Sequence, residues 1–117
     1  MRLRAFTLIS LLFIAGCHSP YVEATVSNRT SERLQLIEVD YPSASFGTQS
    51  LAPGQDFHYR FKVLGEGRMK LTYTDTAHHE HKSEGLSLKE GAEGPLIITI
   101  AEDGTHWQAS SAVSNPR

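Results

Sequence analysis

From Tyr21 onward apolar and polar residues alternate with a period of two, and no segment sustains a 3.6-residue apolar repeat. Alternation of that kind marks half-buried strands. In Tyr21–Asn28, Val22, Ala24 and Val26 share one face, while Glu23, Thr25 and Ser27 share the other. Leu34–Tyr41 changes parity partway, from Leu34 and Leu36 to Ile37, Val39 and Tyr41, which predicts a β-bulge or a strand moving between sheets. Phe46 heads a short strand, and Pro53-Gly54 marks a turn of type II chemistry. Phe57–Val63 is the cleanest alternation, with Phe57, Tyr59, Phe61 and Val63 against His58, Arg60 and Lys62. Met69, Leu71 and Tyr73 alternate with Lys70 and Thr72 beyond a Gly65-Glu66-Gly67 loop. If that loop closes a hairpin, Val63 meets Met69, Phe61 meets Leu71 and Tyr59 meets Tyr73, all from one face.

The remaining segments read the same way. Thr76–Lys82 is polar and fits an edge strand or a loop, and Leu86 with Leu88 makes a short strand. Leu96–Ile100 is apolar on both faces, as a central strand is, and Asp103-Gly104 turns the chain into His106-Trp107-Gln108. About seven short strands with turn signals every 8–12 residues predict an all-β, antiparallel sandwich of immunoglobulin-like type. A small β-barrel is the alternative. The expected core is Val26, Leu36, Phe57, Tyr59, Phe61, Leu71, Tyr73, Ile98 and Ile100, with Trp107 and the tyrosines in core and sheet-edge packing.

The first residues follow a different rule. Arg2 and Arg4 precede an apolar run from Ala5 to Ala15, which ends at Ile14-Ala-Gly-Cys17. A segment of eleven residues, Thr7 and Ser10 among them, is too short to span a bilayer core, which takes about 20. Basic start, apolar middle and small residues before a cut make a secretory signal. The Ile14–Cys17 tetrad resembles the lipobox of bacterial lipoproteins. That resemblance implies cleavage after Gly16, diacylation of the Cys17 thiol, and a membrane partner engaged through the lipid. Asp after the lipidated cysteine commonly signals inner-membrane retention in such proteins, and His18 stands there here; the resemblance thus implies the outer membrane. The organisation expected is a signal peptide (1–16), lipidated Cys17 with a short tether (17–20), a β-sandwich (21–109) and a small, polar, frayed tail (110–117).

Val26-Ser-Asn28, Val39-Asp-Tyr41, Ser45-Phe-Gly47 and Leu51-Ala-Pro-Gly54 also resemble small bacterial lipoproteins with immunoglobulin-like domains. That family lends no catalytic residues. The chain departs from true immunoglobulin domains, which carry a Cys–Trp–Cys core.

Composition narrows the function. The chain has 11 Lys and Arg against 13 Asp and Glu, and losing Arg2 and Arg4 with the leader takes the balance from −2 to −4. A concentrated basic surface for nucleic acid is missing from the pattern. Cys17 is the one cysteine, so once lipidated it leaves no thiol for a disulfide or a nucleophile. The chain also lacks a Gly-x-Ser-x-Gly elbow, a phosphate loop and a His-Glu-x-x-His zinc motif.

Two constellations remain. On a strand, His79 and His81 of His78-His-Glu-His81 share a face about 6.6 Å apart, a spacing that suits two ligands of Zn²⁺ or Cu²⁺. Asp75, Glu84, His58 or His106 would have to complete the set. Without them the expectation is no dedicated metal and no cofactor beyond the lipid. Arg60, Lys62, Arg68 and Lys70 would project from the outer face of the Phe57–Thr74 hairpin, as a contact for anionic headgroups, glycan or an acidic partner. They would repel one another unless neutralised by Glu66, Glu80 or Glu84. The expectation is a non-enzymatic, lipid-anchored accessory module that binds an envelope protein; a metal-binding protein using His78–His81 is the alternative.

Overall fold

The structure is a computed structural model and describes residues 20–110 and Val113. The expected signal peptide, Cys17 and most of the polar tail lie outside the described residues. Eight strands follow one another: β1 (Val22–Asn28), β2 (Leu34–Tyr41), β3 (Ala44–Leu51), β4 (Asp56–Phe61), β5 (Gly67–Thr74), β6 (Glu80–Leu88), β7 (Gly94–Ala101) and β8 (Gly104–Ala109). They form two four-stranded sheets, ordered β4-β1-β7-β8 and β3-β2-β5-β6. All pairings are antiparallel except β1 with β7, which run parallel from Val22↔Gly94 to Asn28↔Ile100. This is the β-sandwich expected from the alternation; among the described residues there is no closed barrel.

The core lies between the sheets because each strand turns one parity of side chains inward. Val22, Ala24 and Val26 meet Leu96, Ile98 and Ile100 on one side, and Val39, Met69, Leu71 and Leu88 on the other. Burial of this apolar area is the main term favouring the fold. The two open flanks close differently. Between edge strands β3 and β4, Phe46 stacks on Tyr59 at 4.4 Å, and Tyr41 stacks on Phe61 at 4.1 Å. Between β6 and β8, the Trp107 ring lies on the backbone of Gly85, where a Cβ would stand 2.5 Å from it. Trp107 Nε1 donates to Ser83 Oγ at 3.3 Å.

The parity switch in β2 is a bulge. Against β5 the register slips between Gln35 and Glu38, and Leu36 takes φ 51° with its side chain 59% exposed. Leu36 is therefore absent from the core, contrary to expectation: its left-handed backbone turns it out so that Ile37 can turn in. Gly47 faces this bulge because any Cβ there would strike the Ile37 carbonyl oxygen.

The expected β4–β5 hairpin does not form. β4 pairs with β1 (Val22↔Phe61, Ala24↔Tyr59), and β5 pairs with β2 and β6 (Val39↔Leu71, Tyr73↔His81). The segment after Phe61 crosses from one sheet to the other, with Val63 buried on the way. Inward residues of β4 and β5 line the same core from different sheets instead of lying side by side, the β4 aromatics meeting Phe46 of β3 and Tyr41 of β2, and this arrangement satisfies the same alternation. Tyr59, expected in the core, stays 41% exposed because β4 is an edge strand. Val113, within the expected tail, is fully buried, and its methyl group closes the space beside Gly94.

Asn28 is the fully buried polar side chain that joins these parts. Its Nδ2 donates to the carbonyls of Glu32 (2.8 Å) and Leu51 (2.9 Å), and its Oδ1 accepts from Thr30 N (2.9 Å) and Thr30 Oγ1 (2.7 Å). Its backbone bonds Gln55 and Gly54 in the β3–β4 turn.

Phe61→Ala should cost about 3–5 kcal/mol in denaturant melts. His58→Ala, on the outer face of the same strand, should cost well under about 1 kcal/mol. Asn28→Ala leaves the Glu32 and Leu51 carbonyls without their donor, and urea titration should show a loss of about 1–3 kcal/mol.

Candidate functional site

One end of the sandwich gathers most of the chemistry-bearing side chains. The β1–β2 loop (29–33), the β5–β6 loop (75–79) and the β7–β8 turn at Glu102 and Asp103 meet there. They enclose a cleft of about 180 Å³ lined by Thr30, Glu32, Tyr73, Asp75, His81 and Glu102, with Leu34 and Ala101 at its apolar margin. Glu32 Oε1 accepts from Thr76 N (3.1 Å) and Thr76 Oγ1 (2.9 Å), tying the first loop to the second. Glu102 Oε2 accepts from Ser31 N at 2.8 Å, tying it to the third.

Asp75 organises the β5–β6 loop. Its Oδ1 accepts from Ala77 N and His79 N, both at 2.9 Å, and the backbone closes with Asp75 N donating to His79 O at 3.0 Å. A side chain that satisfies loop amides in this way competes with strand pairing. The chain accordingly leaves the sheet at Asp75, passes through His78 at φ 67°, and rejoins at Glu80. Of the two readings of Thr76–Lys82, edge strand or loop, both are realised in part: a loop through His79 is followed by a strand that runs unbroken from Glu80 into Leu86 and Leu88.

This geometry separates the histidines. His81 stands on β6 beside Tyr73, stacks on its ring at 4.8 Å and 9°, and bonds Asp75 Oδ2 through Nε2 at 2.7 Å. His79 lies in the loop, largely exposed, with Nδ1 3.9 Å from the same oxygen. The two do not share a strand face. What brings them near each other is Asp75, which the sequence offered only as one of four possible helpers. Glu84 pairs loosely with Arg68 (3.9 Å), His58 bonds Thr25 Oγ1 (3.1 Å) on the other sheet, and His106 bonds Asp103 (2.9 Å). Among the described residues no group of three or more His, Cys, Asp or Glu is placed to hold a metal ion.

The electrostatics follow from these contacts. The His81 hydrogen bond, with help from the His79 amide, pulls the Asp75 carboxyl down to about 2. Burial pushes the Tyr73 hydroxyl up, and the negative charges of Asp75, Glu102 and Glu32 push it further. The carboxylates of Glu32, Asp75 and Glu102 accept from loop donors and so brace the loops around the cleft.

The four cations do not form one patch. Arg60 lies on the β4-β1-β7-β8 sheet with its guanidinium 4.0 Å from the Tyr21 ring centroid, and Lys62 follows β4 in the crossover. Arg68 and Lys70 lie on the other sheet, where Lys70 stands between Asp40 and Glu84 in register. Lys62 and Lys70 are therefore not opposite each other, as a β4–β5 hairpin would have placed them. Asn28, with four side-chain hydrogen bonds, stood in the sequence as the last residue of the Tyr21–Asn28 alternation, with nothing to mark it as a buried hub.

No family model matches this chain, and no curated protein does. Among solved structures, it is similar to the NMR structure of a protein from Eubacterium rectale, with a TM-score of 0.55 and 12% sequence identity over 75% of this chain and 86% of that one. A likeness at that identity concerns the fold, and it agrees with a two-sheet sandwich.

Two outcomes follow for this end of the molecule. A carboxyl held below its ordinary 3.8 binds fewer protons folded than unfolded, so Asp75 adds stability above 3.8 that is lost as pH falls toward about 2. Thermal melts in a series of acid buffers should show that loss, and Asp75→Asn should flatten it. His79 and His81 bring at most two imidazoles, and no group of three or more ligands is placed to hold an ion among the described residues, so calorimetry with Zn²⁺ should find micromolar affinity or weaker, about 8 kcal/mol or less. Nanomolar one-to-one binding abolished by joint replacement of His79 and His81 with Ala would overturn this.

Proposed function

We propose that this chain is a lipid-anchored cell-envelope protein whose sandwich is a non-enzymatic module for binding a protein partner. The observation that carries the reading is Ile14-Ala-Gly-Cys17, closing an apolar run behind Arg2 and Arg4. Two or more acyl chains on one residue make attachment effectively permanent, whereas one is marginal. The position of β1 supports the reading: it begins at Val22, so only 18–20 and Tyr21 separate the anchor from folded structure. His18 in place of Asp favours the outer membrane over the inner.

Partner binding is supported by the cleft end, where loops from both sheets are braced into a fixed relief at the far end of the strands from Tyr21. Rigid loops on a rigid scaffold lower the entropy cost of association. The metal-binding alternative has Asp75, His79 and His81 in its favour, but Asp75 already serves His81 and two loop amides.

Mass spectrometry of the purified protein should find the acyl groups on an N-terminal Cys17, and Cys17→Ser should yield soluble protein or an uncleaved precursor. Cys17→Ser of normal size and normal membrane partition would refute the anchor. Density fractionation should place the native protein with outer-membrane markers. A photocrosslinker at Ala77 should trap a discrete adduct in intact envelopes; free monomer alone would count against the partner.

A further inference from the structure

We propose that the end of the sandwich carrying Tyr21, Lys62 and Leu64 lies directly on the bilayer, with the Leu64 side chain in the boundary between headgroups and acyl chains. The proposal rests on the lipid anchor at Cys17 and adds to it the orientation of the domain and the residues that touch lipid.

The tether sets the geometry. Residues 18–20 reach roughly 10 Å when fully extended. From Tyr21 on, the chain is fixed to the body: the Tyr21 carbonyl accepts from Gly94 N at 3.0 Å, and its ring holds the Arg60 guanidinium. The β1–β4 register, with Val22 opposite Phe61, sets Tyr21 beside Lys62 when continued by one residue. Val63 then turns into the core and Leu64 turns out, 57% exposed. The place where the anchor enters and the place where Leu64 protrudes are thus neighbours on the same end.

The Leu64 loop is braced rather than loose. Leu64 N donates to Ser43 Oγ at 3.2 Å, Gly65 takes φ 116°, and Pro42 of the β2–β3 turn lies against Gly65 and Gly67. A rigid loop holding a leucine in water leaves apolar area uncovered, and a surface held within a few residues of it by acyl chains is the nearest cover. The other large exposed apolar residues lie elsewhere: Leu36 in the β2 bulge, Tyr59 over Phe46, and Ile97 on the outer face of β7. Lys62 can place its stem along the same boundary and its ammonium among phosphates. Glu66, Lys89 and Glu90 are exposed at this end too, so its charge is mixed and the contact is chiefly apolar. The cleft with Asp75 and His81 then points away from the membrane.

The full-length acylated protein, reconstituted into phosphatidylcholine vesicles with and without phosphatidylglycerol, provides the test. With Cys17 acylated, Leu64→Cys or Asp103→Cys introduces a single free thiol for an environment-sensitive fluorophore. Nitroxides on lipid headgroups should quench the label at 64 severalfold more than the label at 103, in both lipid mixtures. In protein with native Leu64, a membrane-impermeant amine reagent should modify Lys62 severalfold more slowly than Lys82. Equal quenching at the two positions and equal rates at the two lysines would overturn the orientation while leaving the anchor intact. Absence of acyl mass on Cys17 in the same preparation would remove the anchor and the orientation together.

Discussion

Everything at the far end of this sandwich depends on the side chain of one buried amide. Asn28 ends β1, and its four hydrogen bonds reach the β1–β2 loop through Thr30 and Glu32 and the end of β3 through Leu51. Apart from the Trp107–Ser83 bond at the β6–β8 flank, the sheets meet chiefly through apolar contacts, which are strong but not directional. A satisfied buried amide supplies direction, since any sliding of the layers would leave donors and acceptors unpaired in a place without water. Glu32, whose carbonyl Asn28 holds, grips Thr76, and Ser31 beside it grips Glu102. The relief of three loops is thus referred back to a single position in the core.

How much of this was legible in the sequence depends on the range of the interaction. Strand positions and inward faces were legible for β1 and β5, because a period of two is local; β7 was legible as a strand, but its run of apolar residues does not show that Ile97 faces out. The β2 bulge was legible too, since Leu34 and Leu36 followed by Ile37 and Val39 can both be buried in no straight strand; which residue would be expelled was not. The partner of β4 was not legible. The inward parity of Phe57, Tyr59 and Phe61 suits a place beside β5 or an edge of the other sheet equally well, and alternation does not separate the two. A three-residue glycine loop is compatible with a hairpin, yet Gly65 here serves a crossover braced on Pro42 and Ser43.

The candidate site was legible only as a list of residue types. His79 and His81 were noticed, but their common face presumed a strand that Asp75 interrupts by accepting two loop amides. Nothing in the spacing announces that an aspartate will cap a loop instead of facing solvent. The cationic quartet dissolved for the same reason as the hairpin: Arg60 and Lys62 belong with one sheet, Arg68 and Lys70 with the other. Tyr73, which the alternation marked as core, also borders the cleft, because an inward residue near the end of a strand lies beneath the loops that follow it.

The parallel pairing of β1 with β7 has a consequence for the order in which the molecule can be completed. Strands β2, β3, β5 and β6 are consecutive apart from β4, so their sheet can assemble from the first three-quarters of the chain. The other sheet cannot, because Val22 waits for Gly94 and Asn28 for Ile100. Until the C-terminal strands arrive, β1 presents a row of unpaired amides and carbonyls beside β4, a template for the wrong neighbour. Non-local closure of this sort slows folding. A nascent or truncated chain is therefore half a sandwich with an open seam, and the last strands to be made are the ones that seal it.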